Sequence, residues 1–156
     1  MQARIDYQNV AQGALKAMYG LEGYVRGCGL EHSLLELIKV RVSQINGCAF
    51  CIDMHWKDAR AAGESEERLY MLNAWRESAL YTDRERAALE WAETVTLVAD
   101  THVPDDVFER ARAQFSEEEL VNVTMAVVTI NSWNRLAISM RAVPGLYRAK
   151  ASGESR

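Results

Sequence analysis

Apolar residues return every three or four positions along almost the whole chain, and no stretch alternates apolar with polar between hairpin turns. That period commits the backbone to helices. The chain reads as all-α, a bundle of about six to seven helices. A first helix starts behind Asp6, carries Val10, Leu15, Met18, Leu21 and Val25, and stops at the glycines flanking Cys28. From about Glu31 the run Leu34, Leu35, Leu37, Ile38, Val40, Val42 and Ile45 is apolar almost all round, the pattern of a helix buried on most sides. Asn46-Gly47 ends it, and a new helix runs from Cys48 to about Ala62, so a very short connection joins the two as a hairpin.

Ser65 opens a short helix through Trp75, and Thr82 with Glu85 matches a capping box for a helix reaching about Ala99. Pro104 suits the first turn of a helix with Val107, Phe108 and Ala111. Ser116 and Glu119 repeat the capping pattern before a last helix, about Glu117 to Met140. Its apolar faces place it in the centre of the bundle or in a subunit interface. Pro144-Gly145 is expected to end the ordered part, with residues 149–156 a disordered tail. No internal linker interrupts residues 1–145, so residues 1–156 read as a single domain.

With 18 Lys+Arg against 22 Asp+Glu the net charge is −4, which lacks the basic footprint of a nucleic-acid binder. The most apolar window, Leu120 to Ile130, is broken by Asn122, Thr124 and Thr129 and falls well short of the ~20 residues of a membrane span. The N-terminus shows no apolar run after a basic start, so a cytoplasmic protein is expected. Neither a Gly-rich phosphate loop nor a dinucleotide fingerprint is present, and no cofactor is expected.

Three cysteines without an export signal point to redox, catalytic or metal use rather than a disulfide framework. Cys48-Ala49-Phe50-Cys51 is a CxxC, and His55 follows four residues later. At ~100° per residue the three side chains share one helical face. Thiols in the first turn meet free backbone N–H groups and the positive end of the helix dipole, which can lower a thiol pKa from about 8.5 to ~3.5–7.5. The spacing also permits an intramolecular disulfide, so an oxidised sulfur can be resolved by its neighbour. Glu36 stands among Leu34, Leu35, Leu37 and Ile38, where a carboxylate is costly unless paired. The hairpin at Asn46-Gly47 brings it within reach of the His55 face, making a Glu–His–Cys relay possible.

Glu36, Lys39, Arg41-Val42-Ser43, Ile45-Asn46-Gly47-Cys48, Cys51 and His55 together resemble the active-site signature of the carboxymuconolactone decarboxylase superfamily, in its alkylhydroperoxidase D (AhpD)-like branch. The stretch Ile130 to Leu136 is similar to compact members of that family as well. The resemblance implies a compact all-α, AhpD-like bundle assembling as homo-oligomers, often trimers or hexamers, and a thiol peroxidase activity on a hydroperoxide substrate. It also implies that Cys51 attacks the peroxide, Cys48 resolves the product, and His55 with Glu36 relays the proton. A dithiol reductant, such as a lipoylated protein, would restore the thiols. The best-known peroxidases of the family place a His between the cysteines, where this chain has Phe50.

Other readings compete with these. The cysteines can be small buried hydrophobes, or ligands with His55 of a zinc site, although a fourth ligand and a second CxxC are missing. No metal is therefore expected. Covalent haem attachment needs His directly after the second Cys, where Ile52 stands. His55 can be a structural imidazole, and Glu36 can pair with Lys39 along its helix. A lactone decarboxylase or isomerase and a non-catalytic redox-sensing oligomer remain as rival functions. Cys28 reads as an incidental thiol, and His32 and His102 receive no role.

Overall fold

A computed structural model describes residues 2–149. Among them are nine α-helices, one 3-10 helix and no strand. In chain order these are α1 (Tyr7–Val10), α2 (Gln12–Gly27), α3 (His32–Asn46), α4 (Ala49–Ala61), α5 (Glu66–Met71), the 3-10 turn Leu72–Glu77, α6 (Asp83–Thr96), α7 (Val98–Thr101), α8 (Asp105–Arg112) and α9 (Glu117–Met140). The all-α expectation holds, with more pieces than the six to seven expected because three of the helical runs divide.

The first division falls at Ala11, whose φ of −130° and ψ of 47° leave the helical region. Asp6 makes no side-chain cap; its carboxylate accepts from the Asn9 amide instead. Val10 is consequently exposed rather than part of an apolar face. The second follows α5, where the chain tightens into the 3-10 turn through Trp75. The third ends α6 at Thr96 rather than Ala99. There the run Thr94-Val95-Thr96 is β-branched and poor at continuing a helix, and the Thr101 hydroxyl takes the Thr94 carbonyl. Pro104 is the cap of α8 and not a residue of its first turn.

Both capping boxes form: Thr82 and Glu85 satisfy each other's backbone N–H groups, as do Ser116 and Glu119. They fix where α6 and α9 start. α3 packs against α4, α6 and α9, and α9 also meets α2, α4, α6 and α8, so these two helices form the centre. The larger apolar cluster, including Leu35, Ile38, Val42, Trp91, Val123 and Ile130, surrounds both cysteines of the CxxC. A second cluster, with Leu37, Val40, Leu72 and Trp75, packs the opposite side of α3. α3 is thus buried on most sides, as its sequence demands.

The chain does not lose its contacts at Gly145. Gly145 N–H donates to Asp53, and the Tyr147 hydroxyl donates to Asp58 at 2.6 Å, laying the segment after α9 along α4. The rest of the expected tail, residues 150–156, lies outside the described residues. No helix among the described residues is long and apolar enough to cross a membrane.

Candidate active site

The hairpin between α3 and α4 is built by one left-handed residue. Gly47 has φ 68° and ψ 30°, which lets its N–H reach the Gln44 carbonyl while the next N–H, of Cys48, reaches the Ser43 carbonyl at 2.9 Å. This Schellman closure caps α3 and leaves Cys48 extended as the N-cap of α4, one residue before the helix rather than inside it. Cys51 lies in the first turn. The two sulfurs are 2.7 Å apart, both thiols are free, and both are buried.

The pair shares its protons unequally. The Cys51 S–H donates to Cys48, and this bond, opposed by burial, draws the Cys48 thiol down to about 7. Cys48 makes no complete capping hydrogen bond, yet the free N–H groups of Cys51 and Phe50 and the amide of Asn134 also favour its charge. Donation to Cys48 and burial push Cys51 well above the usual thiol range. The dithiol therefore gives up one proton near neutrality and keeps the other between the sulfurs.

Glu36 projects from α3 toward the face of α4 that carries His55, one turn beyond Cys51, and its Oε2 lies 2.9 Å from His55 Nδ1. Burial pushes the Glu36 carboxyl up, but the His55 hydrogen bond and the charges of His55, Lys39 and His32 outweigh it and hold it at about 2. An ionised Glu36 can only accept, so His55 carries a proton on Nδ1 and keeps Nε2 for exchange. Lys39, one of the most deeply buried side chains at 1% exposure, balances the carboxylates. Its ammonium donates to Glu22 of α2 at 2.7 Å and to Glu36 at 3.4 Å. Glu22 is also held below its ordinary range, because the Lys39 charge and hydrogen bond outweigh burial.

An open-mouthed cavity of about 270 Å³ reaches this centre. Its walls are mainly aromatic and apolar, with Tyr7, Tyr19, Phe50, Met54 and Trp133, while Glu22, Arg26 and Asp58 add charged groups, and the Tyr19 and Trp133 rings lie 5.3 Å apart. Cys51 and His55 line it, and Cys48 lies behind Cys51, away from the walls. The arrangement offers a sulfur nucleophile to a bound electrophile, a second sulfur within bonding reach and an oriented imidazole.

Of the four residues singled out in the sequence, the structure pairs Cys48 with Cys51 and His55 with Glu36, and Cys51 and His55 line the same cavity. It does not gather the cysteines with His55 as metal ligands; among the described residues the grouping that could hold an ion is Glu36, His55 and Asp58. There the Lys39 ammonium already sits on Glu36 and the Tyr147 hydroxyl on Asp58. Sequence reasoning gave Lys39 only an intrahelical pairing and His32 no role, although His32 Nε2 lies 3.9 Å from Glu36. A lysine three residues after a glutamate inside an apolar run was the available signal for a buried ion pair. Nothing in the sequence marked Glu22.

Comparison with known proteins matches the carboxymuconolactone decarboxylase family model over residues 12–94. YdfG of Bacillus subtilis (strain 168), an uncharacterized protein, is 45% identical over 140 residues, covering 90% of this chain and 95% of its own length. The crystal structure of ATU0492 from Agrobacterium tumefaciens, a protein of unknown function and candidate antioxidant defence protein AhpD, superposes with a TM-score of 0.91 at 48% identity. That alignment covers 94% of this chain and all of the other. The debrominase Bmp8 shares the fold alone, with a TM-score of 0.70 at 18% identity over 83% of this chain and 70% of its own.

Proposed function

Because the chain belongs to the carboxymuconolactone decarboxylase family, in its AhpD-like branch, we propose that it is a thiol-dependent peroxidase cycling Cys48 and Cys51 between dithiol and disulfide. One observation carries the reading: Cys51 lines an aromatic-walled cavity beside His55, with the Cys48 sulfur 2.7 Å behind it. The shared proton passes from Cys51 to Cys48, which charges the sulfur facing the cavity. Cys51 attacks the terminal peroxide oxygen, the O–O bond breaks, and the alkoxide leaves as an alcohol, taking the proton that the dithiol gave up and His55 Nε2 accepted. Cys48 then attacks the Cys51 sulfenic acid; the S–O bond breaks and water leaves with the Cys48 proton. Two electrons return from an external dithiol carrier, such as a lipoylated protein.

The apolar walls favour an organic hydroperoxide over hydrogen peroxide. A homo-oligomer, trimer or hexamer, fits a helix such as α2, which buries only Leu15 and Val25 of its 16 residues. A cytoplasmic place fits a dithiol that must be kept reducible. Replacing Cys51 by Ser should abolish peroxide consumption. Cys48→Ser should allow one turnover and then leave Cys51 as a sulfenic acid open to further oxidation. Full activity in both variants would sink the assignment.

The same walls suit a halogenated aromatic ring, a second reading in which the dithiol reduces a carbon–halogen bond: the ring gains hydrogen, halide leaves and the disulfide forms. Bromide release from a bromopyrrole without peroxide turnover would favour it.

A further inference from the structure

Asn134 is fully buried in the second half of α9, a helix whose nearest buried turns are otherwise apolar at Ile130 and Ala137. A primary amide in such a place must be bonded at both ends. Its Oδ1 accepts from Asn46 Nδ2 at 2.8 Å, and its Nδ2 donates to Ser43 Oγ at 3.1 Å. Asn46 Nδ2 also donates to Asn131 Oδ1 at 3.0 Å, so Asn46 presents its donor end to α9 and fixes which end of Asn134 is oxygen. Ser43 and Asn46 both belong to the turn that delivers Cys48, and the Ser43 carbonyl holds the Cys48 N–H. Asn134 is therefore tied from α9 to the backbone carrying the first cysteine.

An amide nitrogen has two hydrogens. Ser43 takes one, and among the described residues no other oxygen receives a bond from Nδ2. The turn it is tied to carries the sulfur pair: the Ser43 carbonyl holds the Cys48 N–H, the two sulfurs lie 2.7 Å apart, and an amide hydrogen aimed there favours the charged form of each. We infer that the second amide hydrogen of Asn134 is the fixed donor to the negative sulfur of the dithiol, serving Cys48 and Cys51 in turn as the charge moves between them. A neutral donor held by two hydrogen bonds is already oriented when the charge shifts, so it stabilises the thiolate without reorganising. Because it serves both sulfurs, it does not oppose the proton transfer that charges Cys51.

This deepens the dithiol reading and rests on it, but its test uses no peroxide. The alkylation rate of the reduced protein by iodoacetamide, followed from pH 5 to 10, reports ionisation of the pair. Asn134→Ala should move the half-point of that profile up by about one pH unit, making alkylation about tenfold slower below it. Ser43→Ala loosens the anchor but keeps the donor, and its half-point should stay near the parent's. A lowered melting temperature with an unmoved half-point in Asn134→Ala would make the residue a tether only and overturn the inference. Should that variant not fold, Asn134→Leu keeps the volume while removing the donor without adding a charge, and an unmoved half-point there overturns it equally. A parent protein that alkylates readily near neutrality yet consumes no hydroperoxide would defeat the peroxidase reading and leave the Asn134 result standing.

Discussion

At the start of α4 the sulfurs of Cys48 and Cys51 lie close to neutral groups, the amides of Asn134 and Asn46 and the hydroxyl of Ser43. One turn further along the same face, His55 meets full charges in Glu36, Lys39 and Glu22. The two regions solve the burial of charge differently. Around the sulfurs, dipoles and the start of a helix share out one negative charge, so losing any single donor should cost little in stability. In the relay, Lys39 and Glu36 are buried against each other, and removing one leaves the other a buried charge short of its partner. The sulfur side is thereby suited to a charge that comes and goes, and the relay to a charge that stays.

Lys39→Met should break this contrast most severely. It leaves Glu22 and Glu36 without their shared cation, and a loss of about 3–5 kcal/mol in urea unfolding is expected. A loss below about 1 kcal/mol would show that water reaches the carboxylates.

Glu36→Gln comes next and separates the relay's chemistry from its stability. Without a carboxylate on Nδ1, His55 is no longer held in one tautomer, and peroxide turnover should fall about 10²-fold. The same variant carries a pH signature. Glu36 is held at about 2 against an ordinary 4.5, so its contribution to stability is fully present above about pH 4.5 and fades as pH falls toward 2. The parent should lose stability across that window, and Glu36→Gln should lose less. Equal acid limbs for both would place the acid sensitivity elsewhere. The smallest effect belongs to the sulfur side, where Ser43→Ala removes one neutral hydrogen bond and should cost about 1 kcal/mol, with the acid limb unchanged.

Much of this was legible in the sequence where local chemistry decides the structure. The capping boxes at Thr82 and Ser116, the Asn46-Gly47 stop and the limits of the last helix follow from a few adjacent residues, and they stand where expected. The breaks at Ala11 and Leu97 depend on weaker preferences that packing and side-chain competition decide, and the helical period of the sequence runs straight through them. The site divides in the same way. Cys48, Cys51, His55 and Glu36 sit on two helices and the short turn that joins them, so spacing alone could bring them together. Glu22 arrives from α2, which packs on α9, and Asn134 from α9, which packs on α3 and α4; both are far away in the chain, and although Asn134 falls in the stretch Ile130 to Leu136 that resembles the family, only the packing gives it a place beside the cysteines. Lys39 lay between: visible as a charge in an apolar run, but its second carboxylate could not be named.

The dithiol cycle is tested most directly by mixing pre-reduced protein rapidly with a slight excess of cumene hydroperoxide and counting free thiols before and after. Two thiols lost per chain, with Cys28 retained and faster than a free dithiol at the same pH, is the expected result. Thiol loss no faster than that of the free dithiol would contradict a Cys48–Cys51 pair tuned for peroxide.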